Sequence, residues 1–136
     1  RYRTPIHSDI RPGCLIEGDR LEIEVAVVNL IKNALEAADR KGGSDARGSV
    51  VLDRFETADG ESIRLTIENT GDVLTKERLE SLGYATKSAK PEGLGLGLAI
   101  VRTIIQNHSG SIAFNPREAG GLAVTVMIPA PSHPIS

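Results

Sequence analysis

The sequence has no second cysteine to pair with Cys14, so an internal disulfide is excluded, and a single free thiol fits a reducing compartment. Nor is there a charge excess of either sign. Sixteen Lys and Arg against 18 Asp and Glu leave a net charge of −2, which argues against a nucleic-acid surface. No apolar run reaches the roughly 18–20 residues a membrane-spanning helix needs. The longest, Leu94 to Ile105, is interrupted by glycine and by Arg102. No secretory leader is evident. The chain opens on "RYRTPIHSD" without a methionine, and we read it as part of a longer protein, working in the cytoplasm. What is present is ordinary for a soluble globular domain: 136 residues, 40% hydrophobic and 25% charged, enough for one core.

Pattern and punctuation divide the chain into elements. Residues 1–10 alternate loosely as an edge strand, Pro12-Gly13 turns the chain, and Cys14-Leu15-Ile16 is expected as a short second strand. A long helix should begin at Asp19, with Glu22 placed as in a capping box, and stop at Gly42-Gly43. Within it Leu21, Val25, Val28, Ile31 and Leu35 recur at helical spacing and are expected to face the core. "SVVLDRFET" and "SIRLTIEN" flank Ala58-Asp59-Gly60-Glu61, whose Asp-Gly pair marks a hairpin. A loop and a short helix capped by Thr75 occupy residues 72–82, and "GYATKSAKPEG" shows no apolar periodicity. A second long helix should run from about Gly95 to Asn107, followed by strands over "GSIAFN" and "GLAVTVMIP". The order β-β-α-β-β-α-β-β predicts an α/β sandwich, a mixed sheet covered on one face by helices, over residues 1–130, with 131–136 as a flexible tail.

Three stretches carry candidate chemistry. In "NLIKNALEAA", Asn29 and Asn33 are four residues apart and share a helix face, with Glu36 and Ala37 further along the stripe. Asparagine is unfavourable in an apolar helix, and its side-chain oxygen is a hard ligand suited to Mg²⁺. The same pair could instead cap a loop or face solvent. In "IENTG", Asn69 leaves a strand and Gly71 permits close approach, as at a pocket edge or an ordinary turn. In "GLGLGLAIV", Gly93, Gly95 and Gly97 precede a helix whose N-terminal amides favour an anion. Leu98 stands where a dinucleotide fingerprint needs its last glycine, and the Gly-Lys-Ser/Thr of a P-loop is missing. A phosphate loop of another type remains, or a hinge whose alternating Leu94, Leu96 and Leu98 anchor a closing loop.

Together "NLIKNALEAA", "IENTG", "ATKS…GLGLGLAIVRTIIQNHSGSI" and a last strand ending "MIP" resemble the ATP-binding domain of sensor histidine kinases, in the GHKL superfamily. The resemblance covers residues 5 to 130 and implies a Bergerat-type two-layer sandwich with a mixed, mostly antiparallel sheet. It implies that Asn33 holds the Mg²⁺ bridging the triphosphate of ATP, with Asn29 near the phosphates and Ala37 beside the nucleotide. Asn69 stands where the family has the aspartate that accepts from the adenine amino group, and Gly71 is that motif's glycine. Thr86 and Lys87 match the start of the ATP lid. Gly93, Leu94, Gly95, Leu96, Gly97 and Leu98 match the second glycine box around the phosphates. Ala123 aligns with a threonine that many relatives keep beside the adenine.

Asn69 in place of aspartate keeps an acceptor but loses its charge, so weaker ATP binding or looser exclusion of guanine is expected. Hydrolytic members of the superfamily carry a glutamate one turn before the Mg²⁺ asparagine. Asn29 stands there and has no basic site to take a proton from water. The resemblance therefore implies phosphoryl transfer to a histidine on a dimerisation domain outside this chain, and from there to a response regulator. His7, His108 and His133 lack the setting of a phosphoacceptor. The chain alone is expected to be monomeric and its parent a homodimer, with no nucleic-acid partner. The alternative is a degenerate relative of the fold that docks a partner without catalysis.

Overall fold

A computed structural model describes residues 3–82 and 94–131, without the side chains of residues 94–96. Strand β1 (Ile6–Ile10) is followed by helix α1 (Arg20–Lys41), strands β2 (Gly48–Thr57) and β3 (Gly60–Asn69), and the short helix α2 (Lys76–Ser81). Helix α3 (Leu94–Asn107) and strands β4 (Ser111–Pro116) and β5 (Leu122–Pro129) complete it. The five strands lie in the order β1-β2-β3-β5-β4. β1 pairs parallel with β2 and every other pairing is antiparallel. This is the expected two-layer sandwich, with α1 and α3 packed on one face.

Local chemistry explains the elements. The Asp19 carboxylate accepts from the Glu22 N–H at 3.1 Å and caps α1. Gly42, at φ 70°, ends the helix with its N–H on the Ala38 carbonyl. Thr75 caps α2 in the same way, accepting from the Arg78 N–H. Ala58 and Asp59 alone bridge β2 and β3, with Gly60 at φ 123° opposite Thr57.

Two expectations are corrected. Cys14-Leu15-Ile16 is not a strand. Because β1 runs parallel to β2, the chain between them must climb to the helical layer and return through α1. The Arg11 N–H makes the last rung to the Leu52 carbonyl at 2.9 Å, and Pro12 has no N–H to offer another. Ile16 then packs against the core while Leu15 stands exposed. The second correction is the buried face of α1. Ala26, Leu30, Ala34 and Ala38 are its fully buried stripe, whereas Leu21, Val25 and Val28 are 72%, 45% and 61% exposed. Ile31 packs at the edge of the core and Leu35 is half-buried. Apolar residues run round most of α1, so spacing alone left two stripes to choose from. Alanine on the inner stripe lets α1 come close to α3 and the sheet, which β-branched residues there would prevent.

Period two sets the rest of the core. Along β3 the inward positions are Ile63, Leu65, Ile67 and Asn69, and along β5 they are Leu122, Val124, Val126 and Ile128. On the other face Asp53 and Arg64 sit opposite each other and make a two-pronged ion pair of 3.0 and 2.9 Å, with Arg64 over the Phe55 ring. The Arg64 hydrogen bonds hold the Asp53 carboxyl below its usual range, although burial pushes the other way, and the same pair raises Arg64. At the chain start, the Arg3 and Thr4 amides and the Thr4 hydroxyl donate to Asp39 in the last turns of α1. The hydroxyl bond is the main reason the Asp39 carboxyl is held low.

Candidate functional site

A cavity of about 260 Å³ opens where the middle of α1, the end of β3, the loop before α2 and the β4–β5 turn converge. From α1 it takes Asn33 and Ala37, from β3 Asn69, from the following loop Gly71, and from α3 Leu98. Five of the expected site residues, far apart in sequence, therefore share one wall.

Each is placed by a simple rule. Asn69 continues the inward parity of Ile63, Leu65 and Ile67, so a polar group stands in an otherwise apolar row, at 6% exposure. Its Nδ2 donates to the Thr70 carbonyl at 2.7 Å, which commits one of its two N–H groups to the main chain and fixes the orientation of the carboxamide, whose Oδ1 is an acceptor. Gly71 is needed for close approach, because a Cβ there would stand 3.2 Å from Asn69 Nδ2 and 3.3 Å from the Gly121 Cα. Asn33 presents a buried Nδ2 with no hydrogen-bond partner. A buried donor left unpaired costs about 1–3 kcal/mol, so it marks a position where a polar ligand is stabilising.

Asn29 does not line the cavity. Its Nδ2 donates back to the Val25 carbonyl at 2.9 Å, and its Oδ1 faces Gly97 on α3. A Cβ on Gly97 would lie 3.5 Å from Asn29 Oδ1 and 3.7 Å from Asn33 Nδ2. Those are ordinary contact distances, so the bare glycine keeps the space before both amides open. Gly95 lies in the first turn of α3 with Leu94 and Leu96 beside it, and the side chains of those leucines are outside the described residues. Thr86, Lys87 and Gly93 are also outside them.

Among the described residues no group of three His, Cys, Asp or Glu side chains could hold a metal. The donor set fits a nucleotide-borne Mg²⁺: an amide oxygen from Asn33, with phosphates and water supplying the remaining oxygens.

The cavity floor was legible only in part. Ala123 points away, being paired with Glu68 on the outer face, while its neighbours Leu122 and Val124 line the cavity. A one-residue shift in a strand changes the face, and the loose alignment of "GLAVTV" chose the wrong parity. Gly121 also lines the cavity and Gly120 adjoins it, at φ 97° and 111°. Arg40 and Arg78 reach the cavity from α1 and α2. The consecutive glycines of "EAGGLAV" were the available signal for the first pair; nothing marked the arginines.

The family of histidine kinase-, DNA gyrase B-, and HSP90-like ATPases matches residues 18–132. This chain belongs to that family. Within it, sporulation kinase B of Bacillus subtilis is 32% identical over 125 residues, 92% of this chain and 28% of its own length. The C4-dicarboxylate transport sensor protein DctS of Rhodobacter capsulatus is 34% identical over 122 residues, 90% of this chain and 18% of its own. The chain thus spans less than a third of these curated relatives. Among solved structures, the nucleotide-free catalytic domain of histidine kinase ThkA superposes with a TM-score of 0.73 at 26% identity, covering 93% of this chain and 78% of that one. In this family member the described residues include no helix long and apolar enough to cross a membrane.

His108 is fully engaged. Its Nε2 accepts from the Asp19 N–H at 3.0 Å, and its Nδ1 bonds the Ile104 carbonyl at 2.8 Å. The ring ties the end of α3 to the start of α1, against Gly18. His7 lies on β1 and is exposed, and His133 is outside the described residues.

Proposed function

We propose that this chain is the ATP-binding catalytic domain of a sensor histidine kinase, spanning residues 1–130 with 131–136 as a tail. It binds Mg·ATP and presents the γ-phosphoryl group to a histidine on a dimerisation domain elsewhere in the parent protein. The observation that carries the reading is the convergence of Asn33, Ala37, Asn69, Gly71 and Leu98 on one cavity. The names of the relatives support it.

In this reading Asn69 Oδ1 accepts from the adenine amino group, and Gly71 and Gly121 let the base reach the backbone floor. Ala37 and Leu98 close over the apolar parts of the nucleotide. Asn33 would bind at the phosphates, its orphaned Nδ2 a donor for a phosphate oxygen and its Oδ1 a ligand suited to Mg²⁺. When bound, Mg²⁺ neutralises the charge that builds up across the phosphates during transfer. Gly97 keeps space for the triphosphate before Asn29 and Asn33, and the helix start at Leu94–Gly95 directs N–H groups toward it. Thr86, Lys87 and Gly93 belong to the lid that closes the site.

The transfer forms an N–P bond to the acceptor imidazole and breaks the bond from the γ-phosphorus to its bridging oxygen, releasing ADP. No side chain of this chain has to remove a proton from water, in keeping with asparagine at position 29. The acceptor is not His108, whose two ring nitrogens are both occupied. The phosphoryl group then passes to a response regulator through the full-length kinase, a homodimer whose catalytic part works in the cytoplasm.

Isothermal titration of the 136-residue chain with Mg·ATP tests this. We expect saturable one-to-one binding, slow hydrolysis and no autophosphorylation of the chain alone. Failure to bind Mg·ATP refutes the reading, and rapid hydrolysis refutes the role given to Asn29.

A further inference from the structure

Asn69 is held from outside the cavity as well as from within. Its side chain points inward, but its main-chain carbonyl points to the β4–β5 turn, where Arg117 Nη1 donates to it at 3.2 Å. The same Nη1 donates to the Gly120 carbonyl at 2.8 Å, and Arg117 Nε lies 3.5 Å from Glu68 Oε1. One guanidinium thus spans the last two residues of β3 and the far side of the turn. Its side chain is 25% exposed, so these charged hydrogen bonds are partly shielded from water. Arg117 is not part of the cavity wall.

The turn it grips lies directly on the Asn69–Gly71 backbone. The Gly121 N–H donates to the Asp72 carbonyl at 3.0 Å. Gly120 and Gly121, both at positive φ, leave no room for a Cβ. At Gly120 one would overlap the Gly71 carbonyl, and at Gly121 the Asn69 carbonyl. The turn is closed by main-chain bonds from Arg117 to Gly121 and from Gly120 to Arg117, needs glycine at both positions, and is braced onto β3 by the forked Arg117 cation. A lysine ammonium is a point charge on a flexible stem and cannot hold three acceptors in one geometry.

We infer that Arg117 is a positioning residue for base recognition, acting through Asn69; this rests on the nucleotide reading above. With the carboxamide fixed by the Nδ2 bond to the Thr70 carbonyl, Asn69 in this reading meets the base with Oδ1, an acceptor. An acceptor takes the 6-amino group of adenine and repels the 6-oxo group of guanine. Without Arg117, Asn69 stays paired with Gly48 and Leu122, but its carbonyl loses the bond that braces the strand end, and the carboxamide gains freedom to turn and offer Nδ2 to the oxo group. Loss of Arg117 then relaxes the choice of base as well as weakening ATP.

The test is titration of wild type, Arg117→Gln and Arg117→Lys with Mg·ATP and Mg·GTP, with melting temperatures alongside. We expect wild type to prefer ATP and Arg117→Gln to lower the ATP-to-GTP affinity ratio by roughly tenfold, as losing one charged hydrogen bond allows. Arg117→Lys should fall between the two, and it carries the test by itself if the glutamine variant does not fold. A purely structural role lowers the melting temperature and weakens both nucleotides equally, leaving the ratio unchanged; that result overturns the inference. So does a wild-type chain that binds ATP and GTP alike. A wild-type chain that binds neither overturns the nucleotide reading instead.

Discussion

The cavity between β1 and the first half of α1 measures about 490 Å³, the one at the other end of the same layers about 260 Å³, and Leu30 borders both. The same three elements line them in succession. β3 gives Ile63 and Leu65 to the larger and Ile67 and Asn69 to the smaller. β5 gives Val126 and Ile128 to one and Leu122 and Val124 to the other. α1 passes from Ile23, Val27 and Ile31 to Asn33, Ala37 and Arg40. The larger is aliphatic apart from Ser8 and Cys14, whereas in the smaller polar groups converge. The smaller cavity records where an inward position has been given to asparagine or glycine at the expense of packing. Specific recognition needs that convergence of polar groups, and empty apolar space does not provide it.

If the two cavities differ in this way, substitutions in them should act on different quantities. Ile105→Ala enlarges the aliphatic cavity beside a side chain that is 3% exposed. It should destabilise the fold by about 3 kcal/mol while leaving Mg·ATP affinity of the folded protein unchanged, read by denaturant unfolding and calorimetry. Asn33→Ala should do the reverse. We expect nucleotide affinity to fall on the order of 50- to 100-fold and stability to hold or rise slightly, because an unpaired buried donor has been removed.

Asn69→Asp sharpens the contrast within the site. A carboxylate adds a charge-assisted acceptor for adenine, worth about 1 kcal/mol or several-fold in affinity. It cannot donate to the Thr70 carbonyl as Asn69 Nδ2 does, so the melting temperature should fall while binding improves. Equal affinity for the two proteins would show that Asn69 does not read the base.

The smallest effect lies on the outer face, away from both cavities. Asp53 has its carboxyl held below the ordinary value of 3.8 by Arg64. Its contribution is therefore complete above that value and is lost as pH falls through the lower folded-state value. The pair is partly exposed, so the contribution is under about 1 kcal/mol. Asp53→Asn should flatten the acid limb of a stability-against-pH curve by that amount and leave nucleotide binding as it was.

Much of this architecture is legible in the residues themselves. The caps at Asp19 and Thr75, the stop at Gly42 and the Asp-Gly hairpin depend on a residue and its neighbours within a few positions, and all lie where expected. Asn33, Asn69 and Gly71 stand out as polar residues or glycine in apolar elements, but each alone also fits a cap, a solvent-facing side chain or an ordinary turn, and only the combined resemblance of the motifs singled them out. The buried stripe of α1 is not legible, since it depends on which side α3 and the sheet approach. The parity of Leu122 against Ala123 is lost to a one-residue ambiguity. Arg117 is invisible because its partners, Glu68 and Asn69, are nearly fifty residues back along the chain.

The sequence alone determined the two long helices, the β2–β3 hairpin, the last two strands and the polar residues and glycines set among apolar ones, because these follow from short-range backbone preferences and the periods of helix and strand. The tertiary structure decided which apolar stripe of α1 was buried and that the strand expected at Cys14–Ile16 is a climbing loop. It also decided that Asn69 is held twice, its carboxamide by the Thr70 carbonyl and its main-chain carbonyl by Arg117. Each of these is a competition among groups far apart in the chain, settled only when the parallel β1–β2 pairing and the glycine-bearing β4–β5 turn bring them together.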